Sequence, residues 1–150
     1  MKNKYGDYHV VSFSSSFLQV VDYTTSKTGK HGHAKANITG IDIFDGSKHV
    51  DICPTSHNMD APNVSREEYI LADINDGDRD KNGSSACHLM PTEDGAAKGI
   101  EDREDLFIPD NEEYRPMRED FEAGKEVVVV VQKAMGKEVV MPQFRSKDLD

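Results

Sequence analysis

Lys27-Thr28-Gly29-Lys30-His31-Gly32-His33-Ala34-Lys35 holds three lysines and two histidines without one carboxylate, in a 150-residue chain of formal net charge -10. Widening the window to Tyr23–Ile41 adds no acidic residue, so it carries +3 against -13 in the remainder. Gly29 and Gly32 bracket Lys30, which suits a sharply turned loop that holds one lysine forward. A basic tip on an acidic body is suited to an anionic partner, with a phosphate backbone as the leading candidate.

On either side of this stretch the pattern is that of short strands. Val10–Phe13 and Phe17–Tyr23 precede it, with Ser14-Ser15-Ser16 turning between them. The partly apolar start, interrupted by Asp7, His9 and those serines, reads as a strand pair rather than a signal peptide. Ala36–Phe44, rich in β-branched residues, follows the basic stretch. Asp45-Gly46 suits a hairpin turn, with His49–Cys53 as the returning strand. Pro54–Asn63, bounded by prolines and poor in apolar residues, reads as a linker.

A second β-rich unit is expected beyond it. Tyr69–Ile74, Cys87–Met90, Leu106–Ile108, the valine run Val127–Val131 and Val139–Met141 are its strand candidates. Residues 75–86 read as a polar loop, and Gln143–Asp150 as a loose polar tail. One helix fits, with Pro116 in its first turn, Met117 and Phe121 on one face and Gly124 at its C-terminal cap.

Composition limits the classes available. Hydrophobic residues make up 36% and tryptophan is absent, so any core is modest and aliphatic. No apolar run approaches the ~20 residues of a spanning helix. Cys53 and Cys87 cannot define a disulfide framework and read as reduced thiols.

Thr25–Lys35 resembles the hypusine loop of the eukaryotic translation initiation factor 5A family. The similarity continues through Gly40-Ile41-Asp42-Ile43-Phe44 and Asp51–Met59. It returns in Arg103–Leu106, Gly124–Val127 and Ala134-Met135-Gly136, in the same order. The resemblance implies an all-β chain of two small barrels. An SH3-like barrel over residues 1–63 would carry the loop (27–35), and an OB-fold with one short helix and a polar tail would occupy 64–150. It also implies that Lys30 receives an aminobutyl group from spermidine through deoxyhypusine synthase, after which deoxyhypusine hydroxylase completes hypusine. No metal or other cofactor is expected.

Lys27, Gly29, His31, Gly32, His33 and Lys35 are then the supporting RNA- and ribosome-binding residues. The cations neutralise phosphates, the histidines stack or hydrogen-bond, and the glycines allow close approach. The implied protein is a cytoplasmic, non-enzymatic factor that binds the ribosome and the peptidyl-tRNA. It promotes peptide-bond formation at stalled sites such as proline runs and assists elongation and termination; a homodimer stays open. The family's usual Lys-Gly-Arg-Pro type of turn is replaced here by Ser14-Ser15-Ser16-Phe17. Asp76–Asp102 is longer and less similar, so no functional residue is carried over from it.

Other chemistries fit less well. An unmodified RNA-binding module would use the same basic loop by charge alone. His31-Gly32-His33 would serve a small metalloenzyme, but no carboxylate or thiol lies near it in sequence. A phosphate-loop reading fails because Thr24 stands where its first glycine belongs. Asp78-Arg79-Asp80-Lys81-Asn82-Gly83 opens like an EF-hand loop, yet its twelfth position is Leu89 rather than glutamate. Glu101–Asp105 reads as a solvated face.

Overall fold

A computed structural model describes residues 10–13, 16–27, 34–54 and 63–149. The chain divides into two compact units, Met1–Val64 and Ser65–Asp150.

In the first unit β1 (Val10–Phe13), β2 (Ser16–Lys27), β3 (Ala34–Asp42) and β4 (Lys48–Pro54) form a four-stranded antiparallel sheet in chain order. Alternation sends Leu18 and Val20 of β2 and Ala36 and Ile38 of β3 into a small core, with Tyr23 packed against it. The β2–β3 register shifts between Val20 and Asp22, so Val21 is the extra residue of a bulge. Beside the bulge, Gly40 allows the strands to approach. A Cβ on it would stand 2.7 Å from the Leu18 Cβ. The β3–β4 turn is longer than the sequence suggests and is organised by Asp42, whose Oδ1 accepts from the amides of Phe44 (2.7 Å) and Asp45 (3.1 Å).

The second unit contains β5 (Val64–Arg79), β6 (Ser85–Pro91), α1 (Glu93–Ala97), β7 (Phe107–Ile108), α2 (Arg115–Glu122), β8 (Glu126–Ala134) and β9 (Lys137–Lys147). Its sheet runs β7-β6-β5-β8-β9. Leu89, Ile108, Met117, Val127, Val129 and Val140 make its centre, with Phe121 and Phe144 packed on the edge. The valine run behaves as a strand covered on both sides: Val127, Val128, Val129 and Val131 are all buried. Pro116 lies in the first turn of α2, and Gly124 follows its C-terminal cap at φ 81°.

Three expectations are corrected here. Residues 75–86 are mostly strand, because β5 continues to Arg79 and β6 starts at Ser85. The Asn75-Asp76-Gly77-Asp78 stretch has low β-propensity, and Asp76–Asp78 form an irregularity between the rungs Asn75↔Ala86 and Arg79↔Ser85, tied down by side-chain bonds from Arg79 and Ser85 to Asp76. The tail is also strand as far as Lys147: Phe144 pairs with Val129, and Glu126 with Lys147. Finally, a second helix is present. The five-residue α1 begins at Thr92, whose Oγ1 accepts from the Gly95 amide at 3.1 Å. Of the expected linker, Pro54 ends β4, and residues 55–62 lie outside the described residues.

Candidate functional site: a basic hairpin end

The expected loop is narrower than its composition suggests. β2 runs on to Lys27 and β3 begins at Ala34, with rungs Thr24↔Asn37, Thr25↔Ala36, Ser26↔Lys35 and Lys27↔Ala34. Threonine suits these extended positions. Lys27 and Lys35 therefore belong to the stem of a hairpin, and Lys35 is exposed there. Residues 28–33 join the paired ends. Gly29, Lys30, His31, Gly32 and His33 fall in that stretch, outside the described residues.

The stem is anchored from below. Ala36 and Ile38 lead from it straight into the core against Leu18 and Val20. The paired stem is thereby tied to the core of the first unit.

Charge separates between the two units. Residues 1–64 contain six lysines against six carboxylates, whereas residues 65–150 contain 12 lysines and arginines against 22 carboxylates. The second unit thus accounts for the whole net charge, and the basic hairpin belongs to a unit that is neutral overall.

Several polar groups of the second unit are engaged in contacts within it. Asp76 accepts from Ser85 Oγ (2.5 Å) and Arg118 Nη1 (3.0 Å); these bonds, Ser85's first, hold its carboxyl below the usual carboxylate range. Arg118 also donates to the carbonyls of Pro109 and Ile108 and to Ser85 Oγ. Arg103 joins Asp105 and Glu138, and its hydrogen bonds lower the Asp105 pKa. Burial raises the Cys87 thiol to about 11 and the Tyr114 phenol to about 12. Asp80 Oδ1 accepts from the amides of Asn82 (2.9 Å) and Ser84 (2.9 Å), which explains the EF-hand-like spacing as turn chemistry. Glu101–Asp105, expected to be a solvated face, is partly engaged through Arg103 and through the contacts of Asp102 and Glu104 with His88. The contacts of Asp76 with Arg118, Arg103 with Glu138 and His88 with Asp102 were not legible in sequence, since those partners lie far apart along the chain.

Among the described residues, no group of three or more His, Cys, Asp or Glu side chains is arranged for a metal ion. Among the same residues, no helix is long and apolar enough to cross a membrane.

Residues 3–57 match the family described as translation initiation factor 5A-like, N-terminal, and residues 63–143 the one described as eukaryotic elongation factor 5A hypusine, DNA-binding OB fold. The chain is 45% identical over 132 residues to eukaryotic translation initiation factor 5A of Spodoptera exigua, covering 88% of this chain and 74% of that protein. With the Drosophila melanogaster protein of the same name, identity is 45% over 140 residues, covering 93% and 80%. A solved factor 5A family protein from Naegleria fowleri aligns with TM-score 0.71 at 41% identity, over 93% of this chain and 91% of the other. Eukaryotic translation initiation factor 5A from Methanococcus jannaschii aligns with TM-score 0.53 at 26% identity, over 93% and 86%. These matches, on a chain of two small β units of which the second is an OB-fold, identify a translation factor. The chain belongs to the eukaryotic translation initiation factor 5A family.

Proposed function

We propose that this chain acts in the cytoplasm on ribosomes as a hypusine-bearing factor, with Lys30 as the modified residue. The supporting observation is the register of the hairpin: Lys30 lies in the middle of the residues that join the paired ends Lys27 and Ala34. Deoxyhypusine synthase would transfer the aminobutyl group of spermidine to Lys30, and deoxyhypusine hydroxylase would complete the side chain. The arm would then carry two cationic centres on one long stem, able to enter an RNA-lined pocket too narrow for backbone.

In this reading the ribosome and the peptidyl-tRNA are the partners. Lys27, His31, His33 and Lys35 flank the arm with phosphate-neutralising and stacking groups, and Gly29 and Gly32 permit close approach. The factor would position the acceptor end of the tRNA for peptide-bond formation at slow sequences such as proline runs, and assist termination. Bond formation stays with the ribosome; orientation and electrostatics are this chain's contribution. A net anionic second unit agrees with phosphate contact concentrated at the hairpin end rather than spread over the surface.

A peptide mass spectrum of the Lys30 segment, from protein isolated from its native source, tests the proposal. The expected result is a gain of one aminobutyl group plus one oxygen on Lys30. A fully occupied, unmodified lysine would overturn it and leave an RNA-binding module that works by charge alone. Lys30→Arg separates the same two readings in a translation assay: the charge is kept, the modification is blocked, and activity should be lost.

A further inference from the structure

The charge of the second unit surrounds a recess on the outer side of the β7-β6-β5 sheet. The register of β5 shifts between Leu71 and Asp73, after which Asp73 pairs with His88 and Asn75 with Ala86. Leu71, Cys87 and Leu89 are buried, and the alternate residues form the outer row. Asp73, Asn75, Asp78, His88 and Glu104 line a cavity of about 250 Å³ there. One wall is fixed by the segment after α1: His88 Nε2 lies 2.9 Å from Asp102 Oδ2, and Nδ1 lies 3.5 Å from Glu104 Oε1.

The arginines of this region are engaged elsewhere, while His88 in the wall of the recess contacts Asp102 and Glu104. Arg79 pairs with Asp76 and Asp110, and Arg103 with Asp105 and Glu138. Lys81 stands exposed in the β5–β6 turn. Among the described residues neither Asp73 nor Asp78 has an ion-pair partner, and both are exposed. Large apolar side chains flank the recess along the same outer row: Met90, 43% exposed, opposite Ile70, and Phe107, 36% exposed, opposite Ala86.

This combination selects its partner by charge. A phosphate backbone meets carboxylates here and is repelled. A lysine or arginine side chain can lay its alkyl stem on Met90 or Phe107 and bring its head among Asp73, Asp78 and Glu104. We infer that this outer face docks a lysine- and arginine-rich segment of a partner protein, with one cationic side chain entering the recess. The inference is independent of the modification of Lys30.

Binding of a fluorescently labelled oligo-arginine peptide to the full chain, followed by anisotropy at low and high salt, tests it. A labelled single-stranded RNA is measured in parallel. The variant carrying Asp73→Asn, Asp78→Asn and Glu104→Gln should bind the peptide about ten-fold more weakly. A control carrying Glu113→Gln, Glu119→Gln and Glu122→Gln removes as many charges from elsewhere in the unit and should bind like the parent. Thermal melts of both variants verify that the fold is kept. Absence of peptide binding by the parent, or an equal loss in the control, would overturn the inference. So would RNA binding that the first variant abolishes.

Discussion

Arg118 and Asp76, 42 positions apart in the chain, meet at 3.0 Å between Nη1 and Oδ1. Their contact ties α2 to the far end of β5, and Ser85 at the start of β6 bonds to both. Arg118 is buried and every donor contact it makes is to a carboxylate, hydroxyl or carbonyl oxygen. Arg118→Met should therefore destabilise the second unit by about 3 kcal/mol, because buried acceptors lose their donor together with the charge. Ser85→Ala should cost about 1–2 kcal/mol. Urea unfolding followed by circular dichroism measures both. A change near zero for Arg118→Met would mean that solvent replaces these bonds.

The close approach of β2 and β3 beside the hairpin stem depends on Gly40. Adding a methyl group at 2.7 Å from the Leu18 Cβ forces the strands apart. Gly40→Ala should destabilise the first unit by about 1–3 kcal/mol, as overpacking does. Loss of amide protection in β2 and β3, with the second unit unaffected, is the expected hydrogen-exchange signature.

At the β8–β9 turn the opposite change is expected. Met135 and Gly136 lie between the paired residues Ala134 and Lys137, at φ 49° and φ 79°. Both central residues are thus left-handed, the geometry of a type I′ turn, for which asparagine followed by glycine is favoured. Met135 is exposed, so its side chain gains little from packing. Met135→Asn should raise stability by about 0.5–1 kcal/mol. The midpoint of urea unfolding reads the effect, and a lower midpoint would show that the exposed thioether contributes to the fold.

Alkaline pH should weaken the second unit. Burial, the larger cause in each case, raises Cys87 to about 11 and Tyr114 to about 12. Both also donate to carbonyls, Cys87 Sγ to Leu106 at 3.3 Å and Tyr114 Oη to Val140 at 2.6 Å. Below about pH 8 both groups are neutral in the folded and unfolded chain, and neither contributes a slope. From about 8 to 12, Cys87 first and Tyr114 above about 9, the unfolded chain releases these protons before the folded one does, so stability falls as pH rises. The loss should reach about 2 kcal/mol for each group. Melting temperatures from pH 8 to 12 measure it, and Tyr114→Phe should flatten the upper part of the curve.

Local chemistry explains which elements were legible. A short run after the Ser14-Ser15-Ser16 turn marked the strand around Leu18, β-branched residues marked the one around Ile38, and Pro116, Met117 and Gly124 marked α2. The β-poor stretch Asn75–Asp78 does not read as strand because it is an irregularity in β5 tied down through Asp76 by Arg79, Ser85 and Arg118, and no short window contains the last of these. Phe144 likewise looked like part of a tail, since Val129, its partner on the neighbouring strand, lies far back in the chain. At the candidate site, the residue types were plain from composition. The extent of the stem was not: Thr24–Lys27 and Ala34–Asn37 become strand only by pairing with each other.

Sequence by itself determined the family and the β-rich division into two small units, and it singled out Lys30 as the residue on which our proposal rests. Each of those follows from residue types at fixed spacing, where steric and charge preferences act over a few positions. Tertiary structure alone decided where the basic hairpin ends its pairing, how Arg118 joins α2 to β5, and that Asp73, Asp78 and Glu104 surround one recess. Those are meetings of residues distant along the chain, and a side chain's burial, its partners and its proton affinity follow from the groups that folding places around it.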